Sequence, residues 1–239
     1  MNHSILSDSA EKRDPVNAHA PESGASLQPF RLVPIEPIEF FEAIEVKHET
    51  AVHGLQYKRL NPSGERKWSR VEWHGRRAPF ALWAARWAEE REDAYFSLGA
   101  FGDMLNEKGN RSRAGANAIA FRVLAIDVDV GDTHTSPGYE GGDGAKDAIE
   151  MFVTETGLVP QLAVATGTGG WHLYWVIDRL ISPGEYKALG DGLKATAQAH
   201  GLKIDKSVGA DRSQVMRAPG SINSKTGAVV QAYRWEVLE

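Results

Sequence analysis

The chain has no cysteine among its 239 residues. That excludes disulfides, a cysteine zinc site and thiol catalysis, and it fits a reducing compartment. No stretch is long and apolar enough for a transmembrane helix, and the first residues lack the apolar core of a secretion signal. No membrane partner is expected, and a cytoplasmic location is the default reading. Positive charge is not in excess: the net charge of −5 argues against a uniformly basic nucleic-acid coat. There is no Gly-x-x-x-x-Gly-Lys-[Ser/Thr] phosphate loop and no His-x-His metal pair, which removes an ATP-driven motor and disfavours a relaxase. What remains is an ordinary globular composition, 42% hydrophobic and 25% charged, long enough for one large domain or two small ones.

Residues 1–29 are polar, rich in Ser, Ala, Asp and Glu, and without periodicity; they read as a disordered leader. Beyond them a helix is predicted over Pro79–Arg91 and strands over Ala94–Leu98 and Phe121–Asp129. The stretch Thr133–Gly144, rich in Gly, Pro and Ser, is a loop. A helix over Ala145–Thr156 carries Ile149, Phe152 and Val153 on one face, with Gly157 as its stop. Strands follow at Leu162–Ala165 and Trp171–Ile177. Ser182, Pro183 and Glu185 then spell a capping box for a helix that runs to His200 and buries Tyr186, Leu189 and Leu193. Further strands are expected at Leu202–Asp205 and Ala228–Trp235. Strands mixed with helices and joined by hairpins predict an α+β fold rather than a doubly wound sheet.

Three segments carry chemistry. The apolar run Phe121–Val128 ends in Asp127 and Asp129, which point the same way because strand side chains alternate faces. Paired carboxylates at a strand end repel unless a cation lies between them, and Mg²⁺ is commonly held this way. The second segment is the turn Thr166-Gly167-Thr168-Gly169-Gly170, followed on a strand by His172. Its glycines let backbone amides approach a phosphate, although a plain hairpin turn has the same composition. The third places Asp205 at an apolar segment's end, with Asp211 as an alternative acid, and then Arg217 and Lys225 around a Pro-Gly turn. Fixed cations near a metal site suit a triphosphate. Separately, Lys58, Arg59, Arg66, Lys67, Arg70, Arg76, Arg77 and Arg86 outnumber Glu65 and Glu72 between Gly54 and Arg86, with Trp68 and Trp73 interleaved. This pattern fits a strand of nucleic acid, and equally a solvated hairpin with buried tryptophans.

Taken in order, the three segments resemble the motifs of the archaeo-eukaryotic primase superfamily, in particular phage and plasmid primase–polymerases. Asp127 and Asp129 match its Asp-x-Asp, Thr166 to His172 its small-residue turn and histidine, and Arg217 to Lys225 one branch's Arg-x-Pro-Gly-x-x-Asn-x-Lys. The Tyr95-Phe96 strand and Arg113 also look like that branch, so the resemblance spans Ala94 to Lys225. It implies a two-lobed catalytic domain over residues 30–239, with a basic lobe to about residue 93 and a core built on an RRM-like central sheet. It further implies primer synthesis from NTPs or dNTPs on single-stranded DNA. Asp127, Asp129 and Asp205 would hold two Mg²⁺ or Mn²⁺ ions about 3.5–4 Å apart. His172, the glycine turn, Arg217 and Lys225 would hold the triphosphate. Lys58, Arg59, Arg66, Lys67, Arg70, Arg76, Arg77 and Arg113 would meet DNA, and a replicative helicase, fused or separate, would be the partner. A glycosyltransferase using the same Asp-x-Asp on a nucleotide-sugar, or a non-catalytic DNA-binding module of replication initiation, are the other classes consistent with these residues.

Overall fold

A computed structural model describes residues 30–60, 65–69, 71–90, 93–131, 138–206 and 208–238. The expected leader, the stretch 132–137 of the expected loop, Arg70 and the side chains of Arg59 and Arg66 lie outside what is described. The chain runs through β1 (Phe30–Ile35), α1 (Pro37–Ala43), β2 (His53–Leu60), β3 (Arg66–Trp68), β4 (Glu72–His74), α2 (Phe80–Glu89), β5 (Asp93–Ser97) and β6 (Ala100–Phe101). A 3₁₀ turn at Gly115–Asn117 leads into β7 (Ala118–Val128), then α3 (Gly142–Thr156), β8 (Leu162–Ala165), β9 (Trp171–Ile181) and α4 (Pro183–Ala199). The order closes with β10 (Val215–Arg217), β11 (Ile222–Asn223), β12 (Ala228–Val229) and β13 (Gln231–Val237).

These strands form a six-stranded sheet in the order β1-β13-β8-β9-β7-β6 and a five-stranded sheet in the order β10-β5-β2-β3, with β4 also paired to β2. A small hairpin pairs β11 with β12. The run β7-α3-β8-β9-α4, with β9 between β8 and β7 and all pairs antiparallel, is the expected RRM-like arrangement. Both sheets draw strands from either side of residue 93. In the large sheet β1 pairs with β13, while β5 and β10 share the other.

Alternation along β7 explains the layers. Val123 and Ala125 face one apolar cluster, with Phe40 and Phe41 of α1, Phe80 of α2 and Phe96 of β5. Leu124, Ile126 and Val128 face a second, covered by Ile149 and Phe152 of α3 and Tyr186 and Leu193 of α4. In the first cluster Phe41 meets Phe80 and Phe96 edge-on at centroid distances of 5.5 and 5.3 Å. Such pairs contribute about 0.5–1.5 kcal/mol each beyond their burial.

The helix signals hold. Ser182 Oγ accepts from the Glu185 amide at 3.2 Å, the Glu185 carboxylate accepts from the Ser182 amide at 2.9 Å, and Gly157 ends α3 with φ 67°. Two expectations need correction. Leu189 is 44% exposed, and the buried stripe of α4 is Tyr186, Gly190, Leu193 and Ala197. The helix lies so close to the chain after Asp205 that a Cβ on Gly190 would sit 1.9 Å from the Gly209 carbonyl. That contact turns Leu189 outward. Nor is Leu202–Asp205 a strand: Leu202 and Ile204 are buried, but the segment joins no ladder.

Candidate active site

β7 and β9 are registered so that Asp127 stands opposite His172. Strand alternation then puts Asp127 with Val123 and Ala125, and His172 with Tyr174, on the side that faces the five-stranded sheet. Asp129 follows just past the end of β7. Asp205 arrives differently: its amide donates to the Asp127 carbonyl at 2.9 Å, so the loop after α4 hangs from the tip of β7. The close packing of Gly190 on Gly209 holds that loop in place. Carboxylate oxygens of Asp127, Asp129 and Asp205 lie within 4.8 Å of one another. Asp211 is elsewhere engaged, accepting from the Ser213 amide and hydroxyl at 2.8 and 2.7 Å. Of the two candidate third acids, the geometry gathers Asp205.

The cluster is electrostatically unsatisfied. Burial, then the charges of Asp129 and Asp205, pushes Asp127 well above the usual carboxylate range, with Arg217 pulling the other way. Asp129 is also raised, by burial and then by Asp205. Asp127 Oδ1 is buried without a hydrogen-bond partner among the described residues. Three converging carboxylates with an orphaned buried oxygen fit a hard divalent cation such as Mg²⁺ or Mn²⁺, which takes oxygen ligands.

His172 is neutral: burial, then Arg217, lowers it to about 3. Its Nδ1 lies 3.2 Å from the hydroxyl of fully buried Tyr174, and its Nε2 lies 3.7 Å from Asp127 Oδ2. In the tautomer where the Tyr174 hydroxyl donates to Nδ1, the ring proton sits on Nε2, toward Asp127 and the adjoining cavity.

That cavity, about 150 Å³, opens between the two sheets. Asp127, Asp129, Thr166, Thr168, His172, Arg217, Asn223 and Lys225 line it. Gly167, Gly169 and Gly170 shape the turn rather than line the cavity. Gly167 has φ 83°, and a Cβ there would meet Asn223 and Ala228 at 3.1 Å. The β11–β12 hairpin clasps this turn: Asn223 Nδ2 donates to the Thr166 carbonyl at 2.7 Å and Thr226 Oγ1 to that of Gly167 at 3.0 Å. Lys225 is delivered to the site by that clasp.

Sequence reasoning did not single out Asp93, Tyr95 or Asn223 as site residues. Tyr95 and Asn223 line the cavity. Asp93 is fully buried and binds Arg217 and Ser224. The available signal for Asn223 was its place in the Arg217–Lys225 pattern.

The basic set disperses. Arg77 was expected to meet DNA, and the structure corrects this: it is fully buried, and its guanidinium donates to the carbonyls of Ile44, Ser97 and Leu98. Arg113 is partly buried and donates to the Ser213 carbonyl. Arg76 is exposed beside the groove between α1 and α2. Lys67 is exposed on edge strand β3, 3.3 Å from Glu65. Lys58 lies with its Nζ 4.4 Å from the ring centre of Trp68, which is 46% exposed.

No protein-family model and no curated protein matches the chain. Among solved structures it is similar to the AEP domain of the cyanophage S-2L primase-polymerase, with 17% identity over 85% of this chain and 89% of that one, and a TM-score of 0.57. It also aligns with the polymerase domain of Mycobacterium tuberculosis ligase D in complex with DNA, at 16% identity over 82% and 77% of the two chains, with a TM-score of 0.47. The catalytic domain of primase RepB′ in complex with initiator DNA aligns at 14% identity over 82% and 83%, with a TM-score of 0.45.

Proposed function

We propose that this chain, which has the fold of a primase–polymerase catalytic domain, is a nucleotidyltransferase that builds short primers from nucleoside triphosphates on single-stranded DNA. The observation that carries this reading is the convergence of two carboxylates, a buried histidine and two cations on one cavity, with a third carboxylate, that of Asp205, within 4.8 Å of the other two. Asp127, Asp129 and Asp205 would hold Mg²⁺ or Mn²⁺, which when bound activates a 3′-hydroxyl and neutralises the departing pyrophosphate. The chain's own residues bind and orient the triphosphate. His172 donates from Nε2 to a phosphate oxygen, Thr166 and Thr168 offer hydroxyls, and Arg217 and Lys225 draw in the phosphate tail.

The template crosses the side of the five-stranded sheet that faces the cavity. Tyr57, Phe96 and Met216 point toward α1 and α2, so Lys58, Tyr95 and Arg217 point the other way. The Trp68 ring meets that of Tyr95 at 4.8 Å, giving an aromatic step from solvent to the cavity on which bases can stack. Arg76 and Arg77 play no part in this track. Strand separation falls to a helicase, on a separate chain or joined to this one.

The test is primer synthesis on unprimed single-stranded DNA, with labelled NTPs and dNTPs supplied separately and either metal present. Products should require both the metal and the Asp127/Asp129 pair, and the nucleotide consumed identifies the product. Absence of both synthesis and triphosphate binding would sink the enzyme reading and leave a DNA-binding module.

A further inference from the structure

We propose that Asp93 is a positioning residue that locks Arg217 and Lys225 into one unit and thereby sets affinity for the triphosphate tail rather than for the nucleoside. The inference rests on the nucleotidyltransferase reading of the cavity. Asp93 opens β5 and is fully buried, outside the cluster of metal-directed acids. Its Oδ1 accepts from Arg217 Nη1 and, at 3.0 Å, from the Ser224 amide, while its Oδ2 accepts from the Ser224 hydroxyl. Burial alone would raise Asp93, but the Ser224 hydroxyl and amide and then Arg217 outweigh it, so the carboxylate stays ionised.

The two groups it joins come from different elements. Arg217 ends β10, opposite Tyr95 of β5, and its guanidinium carbon lies 4.9 Å from the Tyr95 ring centre. Ser224 lies in the β11–β12 turn, immediately before Lys225, whose own amide donates to Asn223 Oδ1 at 3.1 Å. One buried carboxylate thus fixes both the side chain of Arg217 and the backbone that carries Lys225. It also decides a competition. Arg217 already acts electrostatically on Asp127, so without Asp93 the acids of the cavity become its alternative partners. An arginine drawn onto Asp127 would leave the phosphate tail and crowd the metal-directed acids.

The experiment is calorimetric binding of dATP, dADP and dAMP to the full chain with Mg²⁺ present. Asp93→Asn keeps the shape and removes the charge. It should weaken dATP about tenfold, the scale of one misaligned charge-assisted hydrogen bond, and leave dAMP within about twofold. Ser224→Ala, which touches only one arm, should weaken dATP about threefold. Adding Asp93→Asn to Arg217→Lys should cost about threefold, the loss of the Ser224 arm, rather than the roughly tenfold it costs in the wild type. Unchanged or tighter dATP binding in Asp93→Asn, or equal weakening of dAMP, overturns the inference. If Asp93→Asn does not fold, Ser224→Ala decides by the same criteria. A wild-type chain that binds no triphosphate overturns the inference and the enzyme reading together. Triphosphate binding that depends on Asp93, without incorporation on any template, upholds the positioning role and overturns the polymerase reading.

Discussion

Between α1 and α2, Glu45, His53 and Arg77 form a buried cluster whose charges cancel, whereas at the open end of β7 Asp127, Asp129 and Asp205 crowd together with negative charge to spare. In the first, the Arg77 amide donates to Glu45 Oε2 at 2.8 Å and its guanidinium meets three carbonyls. Burial would raise Glu45, but His53 and Arg77 hold it below the usual range. Burial, then Arg77, lowers His53 to about 4, so it stays neutral. In the second cluster the nearby cation Arg217 is committed to Asp93, and Asp127 keeps an orphaned oxygen. Orphaned atoms do not separate the two, since His53 Nδ1 and Nε2 and Arg77 Nε also lack hydrogen-bond partners among the described residues; what separates them is charge, balanced in the first cluster and in negative excess in the second.

Neutralising the open cluster should have the largest effect on chemistry. Asp127→Asn is expected to reduce nucleotide incorporation by about 10³-fold or more, while raising the thermal midpoint of the metal-free protein by relieving repulsion. Breaking the closed cluster should do the reverse. Arg77→Met leaves Glu45 buried and uncompensated and should destabilise the fold by about 3–5 kcal/mol in urea unfolding. Activity per folded molecule should be preserved.

The clusters also respond oppositely to pH. Asp127 and Asp129 hold their protons to higher pH when folded, so the metal-free native state binds more protons and loses stability as pH rises above their usual value of 3.8. The stability advantage of Asp127→Asn over wild type should therefore be absent below that value and grow as pH rises. His53, lowered to about 4 from 6.5, has the other sign: its contribution is full above 6.5 and is lost as pH falls toward 4. His172, lowered to about 3, acts in the same direction. Unfolding measured across pH in a chelator, in both proteins, separates these contributions. The smallest effect belongs to the proposed template face. Trp68→Ala should weaken single-stranded DNA binding by about 1–3 kcal/mol without changing its salt dependence, because stacking is lost and no phosphate contact is.

Much of the carboxylate-bearing end was legible in the sequence because its signals are local. The alternation in Phe121–Val128 placed Asp127 and Asp129 on one side, the glycine turn announced His172, and the capping box at Ser182 fixed the start of α4. What escaped depends on contacts distant in sequence. A charge count over Gly54–Arg86 cannot reveal that Arg77 turns inward, since its partners are carbonyls at residues 44, 97 and 98. Asp93 carries no local signal, and its role depends on β10 and the β11–β12 hairpin closing over it. Asp205, favoured over Asp211 from a strand end, lies beside Asp127 and Asp129 for another reason: a backbone bond to Asp127 and the Gly190–Gly209 contact place it.

The most direct test of the central claim, that the unbalanced carboxylates are a metal site, is a Mn²⁺ or Mg²⁺ titration followed by thermal unfolding of wild type and Asp127→Asn. The wild type should gain stability as RT ln(1 + [metal]/Kd), about 2.7 kcal/mol at a hundred times Kd, and Asp127→Asn should gain almost none. An equal gain in both proteins, or none in the wild type, would contradict it.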